Sequence, residues 1–279
     1  MNTINFRHSG NTGDIIYALP NIKAYCDKHN VKATLFIHLN VPSNFTAENH
    51  PVGAVMMNQS MFDMLKPLLE SQYYIQNVIA YENESIPDID FDLDLFRKDY
   101  LNLSAGNIAQ WIGNSYPELR PNLFEKSIDI PYNIRLVSEF IIVNRSARYQ
   151  NILVDYSALK DYENVWFVGV ESEFKALSLH NKNLQHLIVS DFYQLAQYIN
   201  SCKLFIGNQS MAFAIAEQLK VPRILEQFAH APNVIPQGGE YWVTHNNKQF
   251  QNALSLALNG EDKNTDTTKT RQTESHSGC

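Results

Sequence analysis

The chain of 279 residues has no apolar run approaching the ~18 residues needed to cross a bilayer, which argues against an integral membrane segment. Its first residues, Met1 to Phe6, lead straight into a strand-like segment. They lack the basic start and apolar stretch of a secretory signal. Cysteine is scarce. Cys26, Cys202 and Cys279 lie far apart in neither a disulfide nor a metal-ligand spacing, which points to a reduced, cytoplasmic protein. Charged residues make up only 18 %, and the formal net charge of −7 offers no broad surface for nucleic acid or membrane, although a local basic cleft stays open. There is no P-loop, no G-x-S-x-G nucleophile elbow and no H-E-x-x-H pair, and the nine histidines are scattered, so no metal site is expected.

Core-forming material is plentiful. Apolar residues are 44 % of the chain and include 15 Phe and 14 Tyr. The length suffices for two compact lobes of roughly 120–140 residues each. Strand-like and helix-like segments alternate twice. In the first half, strands are expected at 3–8, 32–39, 75–81 and 88–95, with helices at 14–29, 61–72 and 107–114. Pro20 is expected to kink the first helix or end its first turn. The loose, Pro-containing stretch from Pro117 to Tyr132 reads as a crossover. In the second half, strands are expected at 139–144, 165–170, 187–189, 203–207 and 223–226. Helices are expected from Glu171, over 191–201, over 210–219 and over 247–258, with Asp191 as a cap.

Continuous apolar strands separated by helices imply parallel sheets covered on both faces. The expected architecture is α/β: two Rossmann-like, doubly wound lobes facing across a cleft. The N-terminal lobe spans 1–134 and the C-terminal lobe 135–259. Residues 260–279 contain no apolar side chain except Cys279 and read as a disordered tail. Ligands in such folds bind beyond the carboxyl ends of the strands, so the loops after Phe6 and Ile206 matter most.

Two of these loops carry chemistry. In HSGNTGDIIYALP, a strand runs through Gly10, Asn11, Thr12 and Gly13 into a helix opening near Asp14. The glycines allow close approach of a ligand, and the helix end offers N–H groups and partial positive charge. Asp14 is either a helix cap or a group facing the cleft. In the second half, Gly207, Asn208, Gln209, Ser210 and Met211 deliver a helix N-terminus suited to a diphosphate, or form an ordinary capped turn.

The first motif, strand–loop–G-D-x-x-x-x-L-P, resembles the opening of the ADP-heptose:lipopolysaccharide heptosyltransferase family, glycosyltransferase family 9, of the GT-B type. The stretch DFYQLAQYINSCKLFIGNQSMAFAIAEQLKVPRILE, 191–226, is similar to that family's donor-binding region. It departs from it at Asn208, where Asp is usual, and at Phe213, where His is usual. The resemblance implies that Asp14 is the base and that Thr12 and Gly13 shape the acceptor side. It also implies that Arg145 or Arg148 supplies a cation to the donor phosphates, and that Glu171 or Glu173 binds ribose hydroxyls. On the residues alone, the arginines read equally as surface groups and the glutamates as acids decorating a helix start. Gln237, Gly238 and Gly239, in the Gly/Pro stretch 232–242, are expected either to close the cleft or to form a plain loop.

The aspartates 88, 90, 92 and 94 share one strand face. A half-exposed strand accounts for them better than the D-x-D metal pair of a GT-A enzyme. The expected activity is metal-independent, inverting transfer from a nucleotide-sugar, which serves as co-substrate with no further cofactor. The acceptor implied by the resemblance is a glycan or a lipid-linked glycan; a modified DNA base fits the acidic balance less well. The alternatives are a nucleotide-sugar epimerase, a metal-dependent transferase, or a non-catalytic nucleotide-sugar or glycan-binding protein on the same scaffold.

Overall fold

In a computed structural model of the chain, described over residues 2–43, 53–98, 106–131, 139–231 and 233–259, the strands gather into two separate parallel sheets. The first comprises β1 (Thr3–His8), β2 (Lys32–His38), β3 (Ile75–Tyr81) and β4 (Phe91–Asp92), in the order β3-β2-β1-β4. The second comprises β5 (Ile141–Asn144), β6 (Val165–Phe167), β7 (Gln185–His186), β8 (Leu204–Asn208), β9 (Arg223–Glu226) and β10 (Tyr241–Thr244), in the order β10-β9-β8-β5-β6-β7. Every pairing between these strands is parallel. The helices are α1 (Thr12–His29), α2 (Gln59–Glu70), α3 (Ile108–Ser115), α4 (Glu171–Ser178), α5 (Phe192–Ser201), α6 (Met211–Leu219) and α7 (Asn247–Asn259). The expected tail and the expected boundary at 134/135 lie outside the described residues. Among the described residues no helix is long and apolar enough to cross a membrane.

Several local expectations are corrected. Pro20 does not end α1, which runs through it. The ring removes one N–H from the helix ladder, but Ile16, Ala18, Leu19, Pro20 and Ile22 are all buried, and burial outweighs one missing bond. The aspartate-rich strand shrinks to Phe91–Asp92 because its acids bond along β1 instead: Asp90 accepts from Asn5 N–H at 2.8 Å, Asp92 pairs with Arg7 at 2.6 Å and Asp94 accepts from Ser9 N–H at 2.6 Å. The expected strand at 187–189 is paired two residues earlier, at Gln185–His186. At the end of the expected Gly/Pro loop, from Tyr241, the chain enters β10, which continues the second sheet beside β9.

One buried cluster runs through both lobes, joining Phe6, Ile15 and Leu19 to Phe205, Phe213 and Ile215. It lies where α1 packs on α6 and α2 on α5. A second cluster, including Ile141, Val143, Tyr156, Phe167 and Phe250, fills the other face of the second sheet. The lobes are further tied by Tyr74 Oη to Ser127 O at 2.6 Å and Ser127 Oγ to Gln218 Oε1 at 2.7 Å.

Candidate functional site: the facing openings of two helices

Each sheet ends its central strands with a short turn and a buried helix. In the first lobe, β1 runs through Ser9 and Gly10 to Asn11, which caps α1. Asp14 is the third residue of that helix, and its Oδ2 lies 3.3 Å from Asn11 N–H. That bond is a helix-opening contact, yet the Asp14 side chain keeps 24 % of its surface exposed. Thr12 is buried, its Oγ1 3.9 Å from Met57 Sδ.

Asp14 does not stand alone. Arg97 Nη2 is 2.7 Å from Asp14 Oδ2, and Arg97 Nε is 3.2 Å from Asp94 Oδ1. The guanidinium also covers the Phe96 ring at 4.6 Å. Burial raises the Asp94 pKa, but Arg97, the two Ser9 hydrogen bonds and the charge His8 gains if protonated outweigh it, so the carboxyl stays below its ordinary value. His8 is fully buried, and desolvation lowers its pKa. Its Nδ1 accepts Gly10 N–H at 2.8 Å, so the ring is neutral and its 3.4 Å approach to Asp94 is a polar contact between a neutral ring and a carboxylate. Gly10 is required at the centre of this cluster. A Cβ there would lie 2.6 Å from His8 Cε1, 2.8 Å from Arg97 Nη2 and 2.9 Å from Asp14 Oδ2.

In the second lobe, β8 ends at Asn208 and Ser210 caps α6, accepting Phe213 N–H at 3.3 Å. Helix geometry leaves the first N–H groups of α6, those of Met211 and Ala212, without a helical acceptor. Gln209 is anchored: its Nε2 donates to Ala231 O and Asn233 Oδ1, and its Oε1 accepts from Gln227 and Phe228. Asn208 is fully buried and bonds three ways to Ser146, through its N–H, Oγ and O. Phe213 is fully buried, with its ring 6.1 Å from that of Phe205, and presents no polar group.

The two openings meet. A Cβ on Gly13 would lie 3.7 Å from Met211 Cα and 3.9 Å from Met211 N. The loop after β5 lies beside the end of β8, and each of its first three residues is tied down. Arg145 donates from Nε and Nη2 to Glu226, both at 2.9 Å, and to the carbonyls of Asn151 and Val154. Ser146 is held by Asn208, and Ala147 N–H donates to Glu173 Oε1 at 2.8 Å. Arg145 is therefore engaged within its own lobe. Arg148 follows, stacked on the Tyr149 ring at 4.8 Å, and Tyr149 in turn lies 5.8 Å from Phe228. Burial raises the Tyr149 pKa, the cation of Arg148 opposes that, and the negative charge of Asp14 adds to it. Tyr149 thus stands within electrostatic reach of Asp14 from the opposite lobe. Glu171 begins α4 at the carboxyl edge of β6, largely exposed, and pairs with Lys175 at 3.2 Å and His186 at 3.1 Å.

The fold therefore brings the Gly10 to Asp14 opening against Ser210 and Met211, with Arg148 beside Tyr149 and Glu173 bonded to Ala147 in the loop after β5. It adds Arg97 and Tyr149, which local sequence did not single out. The expectation that Gln237, Gly238 and Gly239 close the cleft is corrected. Because β10 is parallel to β9 and begins opposite Arg223, these residues lie at the starting edge of the sheet, beside the last turn of α6. Glu217 accepts from Gln237 N–H, Lys220 and Arg223 donate to Gln237 O, and Arg223 also donates to Gly238 O.

No protein-family model matches the chain, and no curated protein sequence matches it. Solved structures do. A family 9 glycosyl transferase from Veillonella parvula DSM 2008 is 14 % identical, with a TM-score of 0.55 over 87 % of this chain and 86 % of that one. E. coli heptosyltransferase WaaC, solved with ADP-2-deoxy-2-fluoro heptose, is 9 % identical, with a TM-score of 0.59 over 93 % and 99 %. E. coli ADP-heptose lipopolysaccharide heptosyltransferase II is 11 % identical, with a TM-score of 0.57 over 92 % and 98 %. Identities this low speak for the fold alone, and the fold is that of the two-lobed GT-B glycosyltransferases.

Proposed function

We propose that the protein transfers a sugar from a nucleotide-sugar to an acceptor hydroxyl, in one displacement that inverts the anomeric carbon and needs no metal. The observation that carries this reading is the meeting of the two helix openings, with a half-shielded carboxylate on one and unsatisfied N–H groups on the other. The acceptor oxygen bonds to the anomeric carbon as the bond to the diphosphate oxygen breaks, and Asp14 takes the acceptor proton. The opening of α6 and the Arg148 guanidinium offset the charge growing on the departing diphosphate. Arg97 holds the Asp14 carboxylate in place, and Tyr149 offers a hydroxyl on the donor side. The solved neighbours bound to ADP or an ADP-heptose analogue make an adenosine diphosphate sugar the first donor to try.

The test combines a thermal-shift panel of nucleotide-sugars with Asp14→Asn. The expected result is a donor-induced shift retained in the variant, with transfer reduced by about 10²–10⁴-fold. Undiminished transfer by folded Asp14→Asn removes the carboxylate from the mechanism. A second reading, binding without turnover, is favoured by the apolar, fully buried Phe213. A donor-induced shift with neither transfer nor donor hydrolysis selects it.

A further inference from the structure

A cavity of about 650 Å³ lies along α3, near the far end of α6 from the site above. It has the size of a small-ligand site, typically ~300–1,000 Å³. Its floor starts at Gly106, just before α3, and follows one face of that helix through Gln110, Gly113 and Asn114. Its opposite wall is the stretch from Arg120 to Phe124, closed at one end by Gln237 of the other lobe.

Three of its glycines or their neighbours are there for close approach. Gly106 has φ of 124°, and a Cβ on it would meet Trp111 Nε1 at 2.7 Å. A Cβ on Gly113 would meet Arg120 Cγ at 3.1 Å. Gly238, at φ 67°, leaves no room for a side chain, since a Cβ would sit 2.5 Å from Phe124 O. The wall carrying Gln237 is fixed by the Glu217–Lys220–Arg223 cluster, whose side chains are almost wholly covered and which holds that residue's N–H and carbonyl. Desolvating three charged groups is costly unless all are bonded; here they are bonded to each other and to this loop.

The lining is chemically one-sided. Arg120 is the one charged side chain among its lining residues, and no carboxylate lines it among the described residues. The exposed Gln110 and Asn114 side chains make no hydrogen bond within the described protein. Arg120 spends its Nε on Gly113 O at 3.2 Å. Phe124 leaves 48 % of its surface exposed, an apolar ring beside planar amides. Amides match the paired donors and acceptors of adjacent sugar hydroxyls, and an aromatic face matches the C–H face of a pyranose ring.

We propose that this groove is a binding subsite for uncharged sugar residues of an oligosaccharide, separate from the meeting point of α1 and α6. It stands whether or not the protein catalyses transfer, because it asks only for binding. The test is calorimetric titration of the full chain with maltotetraose, cellotetraose and tetra-N-acetylchitotetraose, repeated on Gln110→Ala/Asn114→Ala and on Asn114→Trp, which fills the groove. Both variants alter exposed positions, so their melting temperatures should match the parent. The expected result is binding of at least one tetrasaccharide, weakened about tenfold or more in both variants, with ADP binding unchanged. No binding by the parent, or binding indifferent to both variants, overturns the proposal.

Discussion

Arg145→Met separates two roles for one side chain. If Arg145 served donor phosphates, its removal would weaken nucleotide binding and leave the fold intact. Its surroundings say otherwise. Glu226 is fully buried, and Arg145 gives it two hydrogen bonds at 2.9 Å while its side chain is only 17 % exposed. The guanidinium also covers the Tyr156 ring at 4.6 Å and serves the carbonyls of Asn151 and Val154. Removing it leaves a buried carboxylate that keeps Asn151 N–H but has lost both guanidinium donors, at a cost of about 3–5 kcal/mol, as for other broken buried pairs. At about 2–4 °C per kcal/mol for a protein of this size class, the melting temperature should fall by on the order of 10 °C. The double variant Arg145→Met/Glu226→Met removes the stranded charge and should recover much of that loss. Arg148→Met is the contrast: a small change in melting temperature with weaker nucleotide binding. Scanning calorimetry on the three variants, with titration of ADP at a temperature where all are folded, decides the matter. Arg145→Met that melts within about 1 kcal/mol of the parent and still loses ADP binding would refute the structural assignment.

Other outcomes follow from the same contacts. Gly238→Ala forces a Cβ into the Phe124 carbonyl at φ 67° and should cost about 1–3 kcal/mol, visible as a lowered melting temperature. His8 is buried and neutral with its pKa lowered, so the unfolded chain takes up that proton first; stability should hold above about pH 6.5 and fall as pH drops below it, less steeply in His8→Gln, and a melting temperature that rises on acidification to pH 5 would contradict the burial. Cys26 and Cys202 are buried, with thiols pushed up to about 12 by desolvation, so a mass-resolved thiol reagent should label neither in the native protein and both after denaturation.

What was legible in the sequence was local. Asn11 with Asp14 and Ser210 with Phe213 are capping arrangements within a few residues, so the two helix openings could be found from spacing alone. The alternation of strand and helix carried the two parallel sheets for the same reason. The remaining features depend on partners that sequence separation hides. Arg97 meets Asp14 across 83 positions, and Arg145 meets Glu226 across 81. An arginine beside a phosphate and an arginine buried on a glutamate look alike until the acid is located. Tyr149 carries no local signal, because the carboxylate whose charge it feels, Asp14, belongs to the other lobe.

The misplacement of Gln237–Gly239 has a more general cause. Glycine marks a point where backbone approaches something closely, and it says nothing about what that something is. At Gly10 the close neighbours are His8, Arg97 and Asp14, at the carboxyl edge where ligands of this fold bind. At Gly238 the neighbour is the Phe124 backbone, and the edge is the opposite one. Which edge a glycine occupies is decided by the direction of the next strand. Here that strand is the four-residue YWVT of β10, too short for its period to stand out from the loop before it. Once β10 is seen to run parallel to β9, the segment before it must cross back to the starting edge of the sheet. A lid over α6's opening is then excluded by topology, and the Glu217–Lys220–Arg223 cluster acquires a purpose: it fixes the returning chain against the crossover from the other lobe.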